Sequence, residues 1–190
     1  MNNKKINKAL QLYYATMAYF IYNEMEIRRI VAGYDTTPEG AKRTVKILEA
    51  LRPGLKFRAE DFIFDSNELA DEALDLHNKF KQYLLLADET GIPKEALICF
   101  CQSIYNSKLS IIKQMWHFYP IYFDSKYCYN AGIISKKDFK NILTKYSIST
   151  NLVYYLYFRR SIRKIENLLN KSIKESPKRL EIVNNQLINK

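Results

Sequence analysis

Two histidines, three cysteines and one cluster of carboxylates are the residues of this chain with the capacity for covalent or metal chemistry. Glu68, Asp71, Glu72 and Asp75 stand at helical spacing, where acids one turn apart can share a Mg²⁺ ion. A two-carboxylate motif of that kind needs a second half upstream, an E-x-x-E, and none precedes Glu68. Acids in the first turns of a helix also complement its dipole without any ligand. His77 and His117 have no second His, Cys or acid at E-x-x-H or H-x-x-x-H spacing, and no arginine precedes either at the distance an R-x4-6-H ribonuclease motif requires. Cys99 and Cys101, two apart, face different sides of a helix, and three cysteines make no disulfide framework. Buried thiols in a reducing compartment are the expectation. Between Tyr127 and Asp138, Gly132 and Ile134 match a calcium loop, but Tyr127 and Tyr129 stand where its first carboxylates belong. Isolated glycines build no phosphate loop. No catalytic residue, metal site or cofactor is therefore assigned.

Binding chemistry is better represented. The chain carries 30 Lys and Arg against 20 Asp and Glu, for a net charge of +10. The excess is uneven: Arg58 to Ile92 holds three cations and nine anions, whereas Pro93 to Lys190 holds seventeen and six. Arg159, Arg160, Arg163, Lys164, Lys171 and Lys174 concentrate it in one segment, as phosphate contacts would require. Just upstream, residues 139–158 read as a helix, a short turn and a second helix, the layout of a helix-turn-helix reader. There Ile142 and Leu143 pack the first helix, Ile148 plugs the turn, Val153 anchors the second helix, and Ser149 or Thr150 caps it. Thr150, Asn151, Tyr154 and Tyr155 are then exposed, with Asn151 suited to adenine and Thr150 to phosphate or a thymine methyl. The pattern departs from a reader in having Ser147 at the glycine of the turn and Leu143 at the small position of the first helix.

These residues need elements to carry them. Five glycines and five prolines in 190 residues leave little turn chemistry, so strands joined by hairpins are not expected. The fold class is all-α, a compact single-domain bundle of about six to eight helices with mostly antiparallel neighbours. The first helix covers about Ile6 to Val31 and stops at Gly33. Thr37 caps the second, with Pro38 at its first position, and Arg52-Pro53-Gly54 ends it. Asp65 and Glu68 form a capping box for the third, whose stripe is Leu69, Ala73, Leu76, Phe80, Tyr83 and Ala87, closed by Gly91. Pro93 opens a fourth helix, continuing through Leu97, Cys101, Ile104, Met115 and Trp116 towards Pro120. A fifth spans Tyr122 to Asn130, and Ser135 with Asp138 opens a sixth through Phe139, Ile142, Leu143 and Tyr146. The last runs from Leu152 to about Glu175, with an apolar stripe of Leu152, Leu156, Ile162, Ile165, Leu169 and Ile173, and Pro177 breaks it. The helical domain is thus 1–176, followed by a polar tail, 177–190, with room for a short helix.

The composition points to a non-enzymatic helical protein whose basic C-terminal half contacts nucleic acid. The alternative is a protein-interaction module, an adaptor or an inhibitor of another macromolecular machine, since the chain's tyrosines and arginines are residues that interfaces favour. Its partner would present an acidic surface, and self-association is open. A Mg-dependent all-α hydrolase built on Glu72 and Asp75 is the weaker alternative. No run reaches the 18 or so apolar residues of a spanning helix. Leu12 to Tyr22 carries four tyrosines and no A-x-A-like cleavage site follows it, so a cytoplasmic location is expected.

Overall fold

A computed structural model describes residues 3–32, 37–51, 54, 56–63, 66–106, 117–149 and 151–188, without the side chains of 29–32, 48, 51, 66–69 and 178–188. The fold is all-α: seven α-helices and one 3₁₀ turn, with no strand among the described residues. The helices are α1 (Asn3–Ala32), α2 (Pro38–Leu51), α3 (Ser66–Glu89), α4 (Lys94–Tyr105), α5 (Phe118–Asn130), α6 (Lys136–Lys145) and α7 (Leu152–Ile188), with the 3₁₀ turn at Ala59–Phe62. They divide into two compact units, one of Met1–Phe20 with Gln82–Lys190 and the other of Ile21–Lys81.

The smaller unit holds the C-terminal part of α1, α2, the 3₁₀ turn and most of α3. Thr37 caps α2 as its sequence requires: its Oγ1 accepts from the Gly40 N–H at 3.2 Å. The 3₁₀ turn packs on α2. Tyr22 meets Phe80 at 6.0 Å between ring centres, and Arg28 pairs with Glu72 at 3.1 Å, so α1 and α3 run antiparallel here. The stripe on α3 is buried only from its middle onward, with Leu76 half-buried and Phe80 buried; Ala73 is exposed, as is Leu74. Gly33, Asp65 and the side chains of Glu68 and Leu69, to which sequence assigns a stop, a capping box and the start of the stripe, lie outside the described residues.

The larger unit contains the main core. Ala9, Ala15, Thr16, Ala18 and Tyr19 of α1 are buried on more than one side of the helix. The start of α1 is tied to the end of α3 by Gln11 and Asn7, whose amides donate to the Thr90 carbonyl at 2.6 and 3.3 Å. Leu97, Phe100, Cys101 and Ile104 of α4 are sealed from solvent, and α4 packs along α7. An aromatic cluster joins α7 to two more helices: Phe158 of α7 stacks on Tyr119 at 5.4 Å and meets Tyr122 edge-on at 5.3 Å, and Phe139 of α6 stacks on Tyr129 at 5.4 Å. Several tyrosines are thus core residues. No disulfide joins Cys99, Cys101 and Cys128, and burial pushes the Cys101 thiol far above its usual range.

Three helices of this unit end in the same turn. Gly91 (φ +92°) donates to Asp88 O and Ile92 to Ala87 O; Gly132 (φ +77°) and Ile133 repeat the pair at the end of α5. At the end of α6 the left-handed position is Ser147 (φ +56°), with Ile148 donating to Leu143 O at 2.8 Å. Ser147 lacks glycine's freedom, and the burial of Ile148 against solvent offsets the strain.

Two boundaries differ from their sequence reading. The fourth helix ends at Tyr105, with the Asn106 N–H bonded to Gln102 O at 2.9 Å; Met115 and Trp116 lie outside the described residues. Pro120 falls instead in the first turn of α5, where a missing N–H leaves no bond unmade. Pro177 does not end α7, which continues to Ile188. A proline there removes one backbone bond and crowds the carbonyl four residues earlier, at roughly 3 kcal/mol. Ser172 and Ser176 are buried ahead of the proline, whose own ring is exposed.

Removing the Ser135 capping box, which is complete in the structure, by Ser135→Ala should cost about 1 kcal/mol in denaturant unfolding, whereas Ser147→Gly should gain roughly 0.5 kcal/mol by relieving its left-handed backbone. Burial pushes Tyr19 and Tyr119 up to about 12. Their folded values exceed the unfolded value near 10, so their contribution is complete below about pH 10 and is lost as pH rises towards 12. Circular dichroism across that range should show an alkaline unfolding transition.

Candidate nucleic-acid interface

α7 presents two opposite faces because its residues advance by about 100° each. Phe158, Ser161, Ile162, Ile165, Leu169, Ser172 and Ser176 form its buried seam, three and four residues apart. Arg160, Arg163, Lys164, Lys171 and Lys174 fall within an arc of about 100° centred on the opposite side, and all five are exposed. From Arg160 to Lys174 the row spans roughly 21 Å at 1.5 Å per residue. Between Arg160 and Lys174 no acidic residue shares that arc. Glu166 lies to one side, paired with Lys8 of α1 at 3.3 Å, and Glu175 to the other, 3.7 Å from Lys171. Such an exposed i,i+4 pair holds Lys171 by under about 1 kcal/mol. Arg160, Arg163, Lys164 and Lys174 have no acidic partner among the described residues. Arg159 lies off the row, its guanidinium 5.9 Å from the Tyr155 ring centre.

The same face continues towards the N-terminus of α7 as an apolar surface. Leu152 is 72% exposed, Val153 61%, Leu156 50% and Tyr157 47%. Sequence spacing placed Leu152 and Leu156 in the buried stripe. They are not there, because Leu156 and Ile162, six residues apart, point about 120° away from each other on a helix. Ile162, Ile165 and Leu169 keep the seam, and Phe158 takes the place assigned to Leu156.

The connection from α6 to α7 has part of the helix-turn-helix pattern. Leu143 and Ile148 are buried, as that pattern asks of the first helix and the turn. Val153, the expected anchor, is exposed, and the connection is six residues long, 146–151. The cap of α7 is Asn151 rather than Ser149: its Oδ1 accepts from the N–H groups of Val153 at 2.9 Å and Tyr154 at 3.2 Å. An asparagine reads adenine with its carbonyl and its amide together, so a capping Asn151 has half of that pair already committed. Ser149 bonds instead to Thr144, hydroxyl to hydroxyl at 3.3 Å. Tyr154 and Tyr155, expected on the surface, are half-buried, with Tyr154 edge-on to Phe118 at 6.4 Å. Thr150 lies outside the described residues. The structure therefore gathers five of the six predicted cations on one face and uses Asn151 as the cap of α7.

Elsewhere the carboxylate cluster is engaged in ion pairs, Glu72 with Arg28 and Asp75 with Lys79. Among the described residues no three His, Cys, Asp or Glu side chains converge as metal ligands. His77 is exposed, and the exposed His117 ring meets Phe20 edge-on at 6.1 Å. No described helix is long and apolar enough to cross a membrane. A group missed in the sequence is Lys5, Lys8 and Lys126, which line a cleft of about 450 Å³ between α1, α5 and α7. The i,i+3 spacing of Lys5 and Lys8 was its single local signal; Lys126 joins them only through folding.

The chain matches no known protein family, no curated protein and no solved structure.

If Asn151 is a cap, Asn151→Ala should lower stability by about 1 kcal/mol, and Asn151→Asp should leave it nearly unchanged. Neither should alter a nucleic-acid dissociation constant by more than about twofold, whereas loss of a bidentate base contact costs roughly 1–3 kcal/mol of discrimination. Denaturant melts and fluorescence anisotropy on the same samples separate the two roles.

Proposed function

We propose that this protein binds nucleic acid through the phosphate backbone, along the outer face of α7, and does not act as an enzyme. The observation that carries this reading is the row of five exposed cations on one face, Arg160, Arg163, Lys164, Lys171 and Lys174, with no acid in its arc between Arg160 and Lys174. A solvated helix face ordinarily interleaves both signs of charge; a face of one sign over roughly 21 Å suits a polyanion. Tyr157, on the same side of the helix, adds a ring on which an unpaired base can stack. Base reading through Asn151 has no part in this version, so binding is nearly indifferent to sequence.

A second reading, a module that docks on another protein, is favoured by the exposed Leu152, Val153 and Leu156 at the start of the same face. An apolar surface continuous with a basic one also fits a partner with an acidic rim.

Charge reversal separates them. Arg160→Glu, Arg163→Glu and Lys164→Glu together should abolish binding to single-stranded and duplex probes while leaving the melting curve intact, because all three point away from the seam. The wild-type affinity for duplex should fall with a log–log salt slope of about −4.5 when all five cations engage, and each single reversal should reduce its magnitude by about 1. A wild-type protein that binds no probe at low salt, yet retains a stoichiometric protein after nuclease treatment, would leave the second reading.

A further inference from the structure

An open cavity of about 460 Å³ lies at the N-terminal end of α7, within the larger unit. It is lined by Ser147 and Asn151 of the α6–α7 connection and by Val153, Tyr154 and Tyr157 of α7. Its volume is that of a small-molecule site. The two tyrosines differ. Tyr154 is half-buried and sits edge-on to Phe118 at 6.4 Å, which makes it a fixed wall. Tyr157 is 47% exposed. The other aromatic residues of α7 are engaged, Tyr155 with the Arg159 guanidinium at 5.9 Å and Phe158 with the Tyr119 ring at 5.4 Å. Tyr157 alone of the four has no hydrogen-bond, ring or cation partner among the described residues.

We infer that this cavity receives one unpaired base of a single-stranded nucleic acid, stacked on Tyr157, and that the strand's phosphates continue onto Arg160 and Lys164. The inference rests on the phosphate-binding reading above and names its substrate class. Tyr157 lies on the cationic side of α7. Arg160 follows it by three residues, about 4.5 Å along the axis, and Lys164 by seven, about 10.5 Å and within about 20° of the same direction. Neither cation has an acidic partner among the described residues. A ligand that fits both features carries a flat apolar face with negative charge a few ångströms away. A nucleotide strand has both in every repeating unit. In a duplex each base face is covered by the next base pair, so only a strand with free bases can use the ring. An apolar side chain from a protein would fill the cavity without engaging the cations beside it. Asn151 remains a cap, its carbonyl oxygen held by two backbone N–H groups, so the cavity selects a base by stacking and not by its hydrogen-bonding edge.

Fluorescence anisotropy with the full chain tests the inference, using oligouridylate and oligodeoxyuridylate of equal length, an abasic strand of that length, and a duplex. The base-bearing strands should bind about tenfold more tightly than the abasic one. Tyr157→Ala should remove that advantage while leaving abasic and duplex affinity within about twofold of wild type. Tyr157→Phe, which keeps the ring, should retain it. Because the ring carries no charge, Tyr157→Ala should leave the salt slope unchanged, whereas Arg160→Glu reduces its magnitude. A tighter oligouridylate supports RNA as the source of the strand, and a tighter oligodeoxyuridylate supports DNA. An abasic strand that binds as tightly as the others, or a Tyr157→Ala protein that binds single strands like wild type, overturns the inference and leaves the phosphate reading standing. Failure of every probe at low salt, the duplex included, overturns both. A Tyr157→Ala protein that keeps its single strands but loses a nuclease-resistant protein overturns the inference in favour of a protein at this patch.

Discussion

The burial of one seam on α7 sets the rest of the larger unit. Phe158, Ile162, Ile165 and Leu169 are at most 7% exposed, and each such side chain contributes about 1.5–3 kcal/mol on leaving water. No arrangement of surface charge competes with that sum, since exposed ion pairs contribute under about 1 kcal/mol. The seam therefore decides which way α7 is turned. With the seam facing inward, helical geometry leaves Arg160, Arg163, Lys164, Lys171 and Lys174 no direction except solvent. The cationic face is a consequence of core packing. Phe158 extends the constraint sideways, because its contacts with Tyr119 and Tyr122 fix α5 and, through Phe139, α6.

The turns between helices follow from the same packing. Each left-handed turn at Gly91, Gly132 and Ser147 satisfies two carbonyls that the preceding helix leaves open. Ile92 and Ile148, the residues just beyond two of them, are completely buried and lock the direction of the next segment. Ile133 is 65% exposed, so the third turn relies on glycine and backbone bonds alone. Ser147 shows the balance most clearly: a residue that disfavours this backbone is held in it by a buried neighbour. That turn sits directly before Asn151, and it delivers the capping side chain to the first turn of α7.

Much of the fold was legible because caps are local. Thr37 before Pro38, Ser135 three residues before Asp138, and Gly91 after a periodic run each act within one turn, and each does so in the structure. The failures have a common physical origin. Counting leucines on α7 gave a stripe that included Leu152 and Leu156, but which of two crossing apolar rows is buried depends on the neighbours, and α4 and α5 select the one containing Phe158. Asn151 was assigned to a base when the nearest unsatisfied donors were two backbone N–H groups of its own helix. Pro177 was read from its intrinsic preference to end a helix, yet α7 continues past it to Ile188. The cleft of Lys5, Lys8 and Lys126 joins residues more than a hundred positions apart, and no local pattern announces it.

By itself, then, the sequence determined the helical class, most of the helix starts and stops, and the concentration of positive charge in the C-terminal half. These are properties of composition and of spacing within a turn or two, where backbone hydrogen bonding and 3.6-residue periodicity act. Tertiary structure decided which face of α7 is inside, which polar side chains are spent on capping, and which lysines meet across a cleft. Those outcomes depend on burial energies summed over several helices, and no single segment contains the terms of that sum.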